Sequence, residues 1–160
     1  MPLTPLVDAT YRTAYRVAYR LMKTYWQVRQ PTTHGALVAI WHERRILLVK
    51  NSYVPYWSLP GGYLRRGETG AQAAARELEE EVGVKIDPAQ LRPSVDLEHR
   101  WEGKQDHVEI FELELDHEPL VMADRREVVS AGFYFEDRAL EMNLFPPIRA
   151  HIEERRRHRA

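Results

Sequence analysis

The sequence predicts an α/β domain in which strands and helices mix without a clean β-α-β-α alternation, α+β being the neighbouring option. Three observations carry this. Two apolar runs, "GALVAIW" and "RILLVKN", flank the turn residues "HER". Two further strand-like runs, "SVDLEHRW" and "DHVEIFELEL", flank "EGKQ". Segments with helical periodicity lie before, between and after these pairs. The 160 residues suit one domain with a sizeable core, and the formal net charge of −1 gives no global pull toward nucleic acid or membrane. Cysteine is absent, which excludes disulfides, thiolate metal sites and cysteine nucleophiles. No run reaches the apolar length of a membrane span, so no integral membrane segment is expected. Residues 1–10 lack the apolar core of a leader peptide, and a cytoplasmic location is the expectation.

In chain order, "DATYRTAYRVAYRLMKTYWQVRQ" reads as a helix. Tyr11, Tyr15 and Tyr19 recur at i+4, Met22, Tyr25 and Trp26 extend the apolar side, and Arg12, Arg16, Arg20 and Lys23 line a neighbouring face. Pro31 ends it. This extension, residues 1–30, is set apart from a main domain at 31–160. It is expected to pack on its own domain or pair with a copy in a homodimer, with an anionic membrane surface as the more remote role. After the first strand pair, "SYVPYWSLPGGYLRRGE" is loop-rich, punctuated by Pro55, Pro60, Gly61 and Gly62. The next helix opens on a Thr69–Gln72 capping box and stops at Gly83. "VVSAGFYF" is the last strand, and Pro146-Pro147 open a closing helix that ends in "EERRRHR". That basic end is a solvated tail or a contact for RNA or phosphates.

The central helix poses a problem. "RELEEEVGV" crowds four glutamates into its last turns, where like charges repel and the helix dipole is negative. With Glu77 as zero and about 100° per residue, Glu80 falls near −60° and Glu81 near +40°. These three share a face. Ala71, Ala74, Ala75, Leu78 and Val82 form the adjacent apolar stripe, and Glu79 points away from both. A solvated acidic face would leave the repulsion unrelieved. A hard divalent cation would relieve it, because Mg²⁺ favours carboxylate oxygen and retains waters for a substrate's phosphates.

From Gly62 to Val84 the chain reads "GYLRRGETGAQAAARELEEEVGV". This resembles the Nudix box, G-x5-E-x7-R-E-U-x-E-E-x-G-U with U aliphatic, at Gly62, Glu68, Arg76, Glu77, Leu78, Glu80, Glu81, Gly83 and Val84. The resemblance implies an α/β/α sandwich around a mixed sheet, to which the N-terminal helix is an extra. It implies a divalent-metal-dependent hydrolase cleaving the pyrophosphate bond of a nucleoside diphosphate linked to another group. Noncanonical nucleoside triphosphates, a nucleotide sugar or ADP-ribose, and the 5′ end of RNA are the open options, so a nucleic-acid partner stays undecided. A catalytically silent nucleotide sensor of the same fold is the alternative, and silent members often lose box glutamates that are intact here.

Residue by residue, the resemblance makes Glu77, Glu80 and Glu81 ligands for Mg²⁺, with Mn²⁺ as the other candidate. Glu80 and Glu81 lead as general base. Glu68 assists the metal or the catalytic network, and Arg76 holds box carboxylates in place. Gly61 and Gly62 are the expected substrate-binding positions, and Gly62 and Gly83 match turn glycines of the box where φ freedom or close backbone approach is needed. Glu109 shares a strand face with Phe111, Leu113 and Leu115 and is a further catalytic candidate, unless a register break near Ile110 turns it outward. Among the loop aromatics, Trp101 is the one assigned to stack a nucleobase, against packing as the plainer role.

Overall fold

The computed structural model describes residues 5–159. Residues 1–4 and residue 160 lie outside it, and with them part of the 1–10 stretch read for a leader. Helix α1 (Pro5–Arg29) ends at Gln30, whose φ of 47° leaves the helical region just before Pro31. The chain then enters β1 (Thr32–His42) and turns back into β2 (Arg45–Asn51). Two short strands follow, β3 (Trp57–Ser58) and β4 (Gly61–Tyr63). Helix α2 (Gly70–Val82) precedes the hairpin of β5 (Arg92–Trp101) and β6 (Lys104–Leu115). Strand β7 (Val128–Phe135), a short α3 (Glu136–Glu141) and α4 (Pro146–Arg159) complete the fold.

The sheet is mixed. β1 and β6 run parallel along the whole length of β1, from Thr32 opposite Gln105 to His42 opposite Leu115. All other pairings between these strands are antiparallel, in the order β3-β2-β1-β6-β5, with β4 also on β1 and β7 on β2. β1 and β2 pair only at Trp41 and His42 before they part. β4 fills the gap against Gly35–Leu37. That split brings Gly61 and Gly62 into the middle of the sheet.

Both faces of the sheet are covered, which is why β1 and β2 read as nearly continuous apolar runs. Val38, Ile40, Leu47 and Val49 pack on one side against Ala73, Ala74, Leu78 and Val82 of α2. Ala39, Trp41, Ile46 and Leu48 pack on the other against Ile148 and Ile152 of α4. The three-layer sandwich expected from the box is therefore present. The capping box closes as expected, Thr69 Oγ1 accepting the Gln72 N–H at 3.3 Å and Gln72 Oε1 accepting the Thr69 N–H at 2.9 Å. Gly83 caps the other end in the left-handed conformation, φ 74°.

Three readings are corrected. β3 and β4 lie in a stretch read as loop, being too short to show alternation. α3 was not anticipated, since it is one and a half turns long and Phe135 provides no side-chain cap. In α1, Tyr11, Met22 and Tyr25, read on the apolar side, stand 45%, 46% and 54% exposed, whereas Trp26 is buried.

Leu78 is fully buried between α2 and the sheet. Leu78→Ala is expected to lower the unfolding free energy by about 2–5 kcal/mol, read from urea unfolding. Glu79→Gln, on the exposed side of the same helix, should stay within about 0.5 kcal/mol of wild type.

Candidate active site

The turn between β4 and α2 is closed by Glu68, whose Oε2 accepts the Arg65 N–H at 2.9 Å. Both Glu68 oxygens also take Arg76, at 2.8 Å from Nε and 2.9 Å from Nη2. The same guanidinium donates to Glu77 Oε1 at 2.5 Å, to Glu80 Oε2 at 3.2 Å and to the Tyr63 carbonyl at 3.1 Å. Arg65 adds a second contact to Glu80 at 3.1 Å. Hydrogen bonding from Arg76 holds the Glu68 carboxyl down to about 2. The planar fork of arginine is what lets one side chain serve three carboxylates. Gly62 permits this packing, because a Cβ there would sit 2.5 Å from Glu77 Oε1.

Glu81 lies deeper. Its angular position borders the apolar stripe, so the helix carries it into the interior, 5% exposed. Oε2 accepts the Gly61 N–H at 3.0 Å. Burial pushes its carboxyl well above the ordinary range, and the neighbouring charges of Glu127 and Glu77 push the same way.

Glu127 is the residue that sequence reasoning missed. It is half-buried just before β7, and Tyr53 donates its hydroxyl to Glu127 Oε1 at 2.6 Å. Asn51 supports Tyr53 at 3.2 Å. Burial raises the Glu127 carboxyl, and Glu77 is the leading charged neighbour acting in the same sense. The loop that delivers it is shaped by Asp124, which accepts the N–H groups of Arg126 at 3.0 Å and Val128 at 2.8 Å. That loop also caps α2: the Met122 and Asp124 N–H groups donate to the Val82 and Glu81 carbonyls, at 3.0 and 3.2 Å. An acid directly before a β-branched pair, "REVV", was the only signal in the sequence.

The structure thus gathers Glu77, Glu80, Glu81 and Glu127 around the C-terminal half of α2, with Glu68 and Arg76 bracing them. Glu109 faces α2, on the same side as Phe111, but it sits against Gly70 at the opposite end of the helix. Eleven residues separate Gly70 from Glu81, about 16 Å of rise. Gly61 and Gly62 border a cavity of about 400 Å³ that also reaches Glu127. Trp101 lines the same cavity, in edge-to-face contact with Phe145 at 5.1 Å and with Tyr56 at 6.1 Å.

Among the described residues no three acid or histidine side chains close into a ready-made metal cage. The donor set still fits a hard divalent ion. Glu81 is a buried carboxylate whose near donors, the Gly61 N–H and the Asn51 amide, are both neutral, with two acidic neighbours, and Mg²⁺ is bound through one or two carboxylates while keeping several waters. Glu80, half exposed and tied to two arginines, stands at the rim.

The NUDIX domain family model matches residues 31–156. A Bacillus subtilis (strain 168) protein provisionally named an 8-oxo-dGTP diphosphatase is 50% identical over 52 residues, 32% of this chain and 35% of that protein. A second B. subtilis protein, provisionally named an ADP-ribose pyrophosphatase, is 36% identical over 58 residues, 36% of this chain and 28% of its own length. The chain thus spans about a third of the length of these curated relatives. In structure it resembles the MutT NUDIX hydrolase of Burkholderia pseudomallei, with a TM-score of 0.67 and 23% identity over 76% of this chain and 96% of the other. That likeness speaks for the fold. No helix among the described residues is long and apolar enough to cross a membrane.

The raised proton affinity of Glu81 has a definite sign in stability. Its folded state prefers the neutral form, so metal-free stability falls as pH rises from the unfolded carboxyl value, about 4.3, through the higher folded one. Glu81→Gln keeps an acceptor for Gly61 and removes the charge. In EDTA at pH 7.5 it should melt at a higher temperature than wild type. Below the unfolded value the difference should vanish, and added Mg²⁺ should narrow it at neutral pH. Glu68 has the opposite sign: its stabilisation is present above about 4.3 and is lost as pH falls toward about 2.

Proposed function

This chain belongs to the NUDIX family, and from that premise we propose that it hydrolyses a phosphoanhydride bond in a nucleoside diphosphate linked to another group. The observation that carries the reading is a carboxylate buried against two others, Glu81 beside Glu77 and Glu127, with no cationic side chain bonded to it among the described residues. Such an arrangement is costly unless a cation and an anionic substrate complete it.

Glu77, Glu81 and Glu127 would hold the divalent ion, Mg²⁺ in our reading, with Mn²⁺ able to use the same oxygen donors. When bound, that ion supplies charge neutralisation at the phosphates and a more acidic water. The protein's own groups do the rest. Glu81 is oriented by the Gly61 N–H and, with Glu80, is a candidate to accept the proton of the attacking water. Arg76 fixes Glu68, Glu77 and Glu80 in place, and Tyr53 fixes Glu127. Water adds to one phosphorus, the bridging oxygen leaves with the other, and one P–O–P bond becomes two phosphate ends. The names of the two B. subtilis relatives, an 8-oxo-dGTP diphosphatase and an ADP-ribose pyrophosphatase, fall within this substrate class. Intact box glutamates weigh against the silent sensor.

The test is a panel of nucleoside triphosphates, dinucleoside polyphosphates and nucleoside diphosphate sugars, incubated with purified protein and Mg²⁺. At least one member should yield a nucleoside monophosphate, and Glu81→Gln should lower kcat on the order of 100-fold. Glu80→Gln should act in the same direction. Unchanged cleavage in both variants would remove the carboxylates from the reaction. Tight nucleotide binding without any cleavage would make the protein a sensor.

A further inference from the structure

Helix α1 lies outside the residues matched to the family, yet one of its faces forms a wall of the cavity that ends at Gly61 and Glu127. Tyr15, Ala18, Tyr19, Met22 and Trp26 supply that wall. Their spacing, i, i+3, i+4, i+7 and i+11, is that of a single helical face.

The helix is held over the cavity at three places. Near its start, the Arg126 guanidinium lies 4.6 Å from the Tyr11 ring centre and 3.9 Å from Asp8. In the middle, the Tyr19 ring packs 4.9 Å from Tyr53, the residue whose hydroxyl holds Glu127, while Arg16 Nε donates to the Ser52 carbonyl at 3.1 Å. Toward its end, Tyr19 donates its hydroxyl to Glu102 and Lys23 pairs with the same carboxylate at 3.1 Å. The β5–β6 turn meets the helix backbone directly, for a Cβ on Gly103 would lie 2.9 Å from Gln27 Cα. Trp26 is buried, with the Lys104 ammonium 5.0 Å from its ring centre.

We propose that α1 is the roof of the substrate chamber and a specificity element: it closes the cavity around one compact, planar, stacking group attached to the diphosphate, a single nucleoside. This rests on the hydrolase reading of the acidic end. The volume, about 400 Å³, lies in the range of small-molecule sites. The lining has a polar part, with Asn51 and Glu127, and an aromatic part, in which Tyr56, Trp101 and Phe145 are in mutual ring contact. Trp101 presents a ring to the cavity, while its indole N–H is buried beside the Tyr56 hydroxyl. A nucleic-acid strand would call for an open, basic groove. Here Glu102, Asp106 and Glu127 line the space, and Lys104 is already paired with Asp106 at 2.6 Å.

The decisive variant is Ala18→Trp in the full chain, which adds bulk to the roof from an exposed helix position. Calorimetry with nucleoside monophosphates, with Mg²⁺ present, gives binding, and steady-state kinetics on the best panel substrate give KM and kcat. Kd and KM should rise about tenfold or more with kcat within about threefold of wild type. Leu21→Ala, on the outward face, should leave both unchanged. Wild-type Kd and KM in a folded Ala18→Trp protein would overturn the proposal. Should Ala18→Trp not fold, Tyr19→Phe decides. It keeps the ring, removes the bond to Glu102, and should raise KM about threefold; an unchanged KM would overturn the proposal equally. If wild type cleaves nothing, the hydrolytic reading fails, while the Kd series still judges the roof.

Discussion

A carboxylate buried in the last turn of a helix is opposed by the helix dipole, by loss of hydration and by its acidic neighbours, and the site is organised around keeping Glu81 there. The backbone opposes part of that cost. Gly61 gives its N–H to the carboxylate, and the Met122 and Asp124 N–H groups occupy the Val82 and Glu81 carbonyls that would otherwise be unpaired. None of these donors is a full positive charge. The deficit that remains is what the proposed divalent ion would relieve.

Arg76 handles the other acids differently. It is partly buried and fully bonded, taking Glu68 with two nitrogens and Glu77 and Glu80 with the third. It also holds the Tyr63 carbonyl at the end of β4. One side chain therefore ties a strand end, a turn and two helical turns into a rigid unit. A lysine would offer a point charge without the fork and could not make the same set of contacts. The acids at this site fall into two groups, those bonded to an arginine, Glu68, Glu77 and Glu80, and the buried Glu81 and half-buried Glu127, whose side-chain partners are neutral.

What could be read from the sequence was what depends on local pattern. The α2 capping box, its glycine stop and the position of Glu81 beside the apolar stripe follow from helical periodicity over a single segment. The sheet-facing side of Glu109 follows from alternation in β6. Its distance from Glu81 does not, because it depends on which end of α2 meets β6. Glu127 is one acid in an irregular loop, and its placement depends on Asp124, which shapes that loop, and on Tyr53, which is 74 positions away in the chain. β3 and β4 are set by the parting of β1 and β2, a tertiary feature with no local signature. In α1 the apolar arc is wider than the contact it makes, so periodicity showed a packing helix without showing which residues pack.

The parting of β1 and β2 has a functional consequence. The carboxylates project from α2 on one face of the sheet, whereas the cavity is walled by Leu37, Leu59, Val108 and Phe145, which belong to the core on the other face. A continuous sheet would separate the two. The gap is filled by β4, only three residues long, and Gly61 within it turns its N–H to Glu81 while bordering the cavity. A Cβ at Gly61 would come 2.2 Å from the Ala36 carbonyl oxygen, so no larger residue can serve there without moving β1. In the proposed reading, a phosphate chain held by the acids would reach a group held under α1 past Gly61 and Glu127, which border the cavity and the acidic cluster alike.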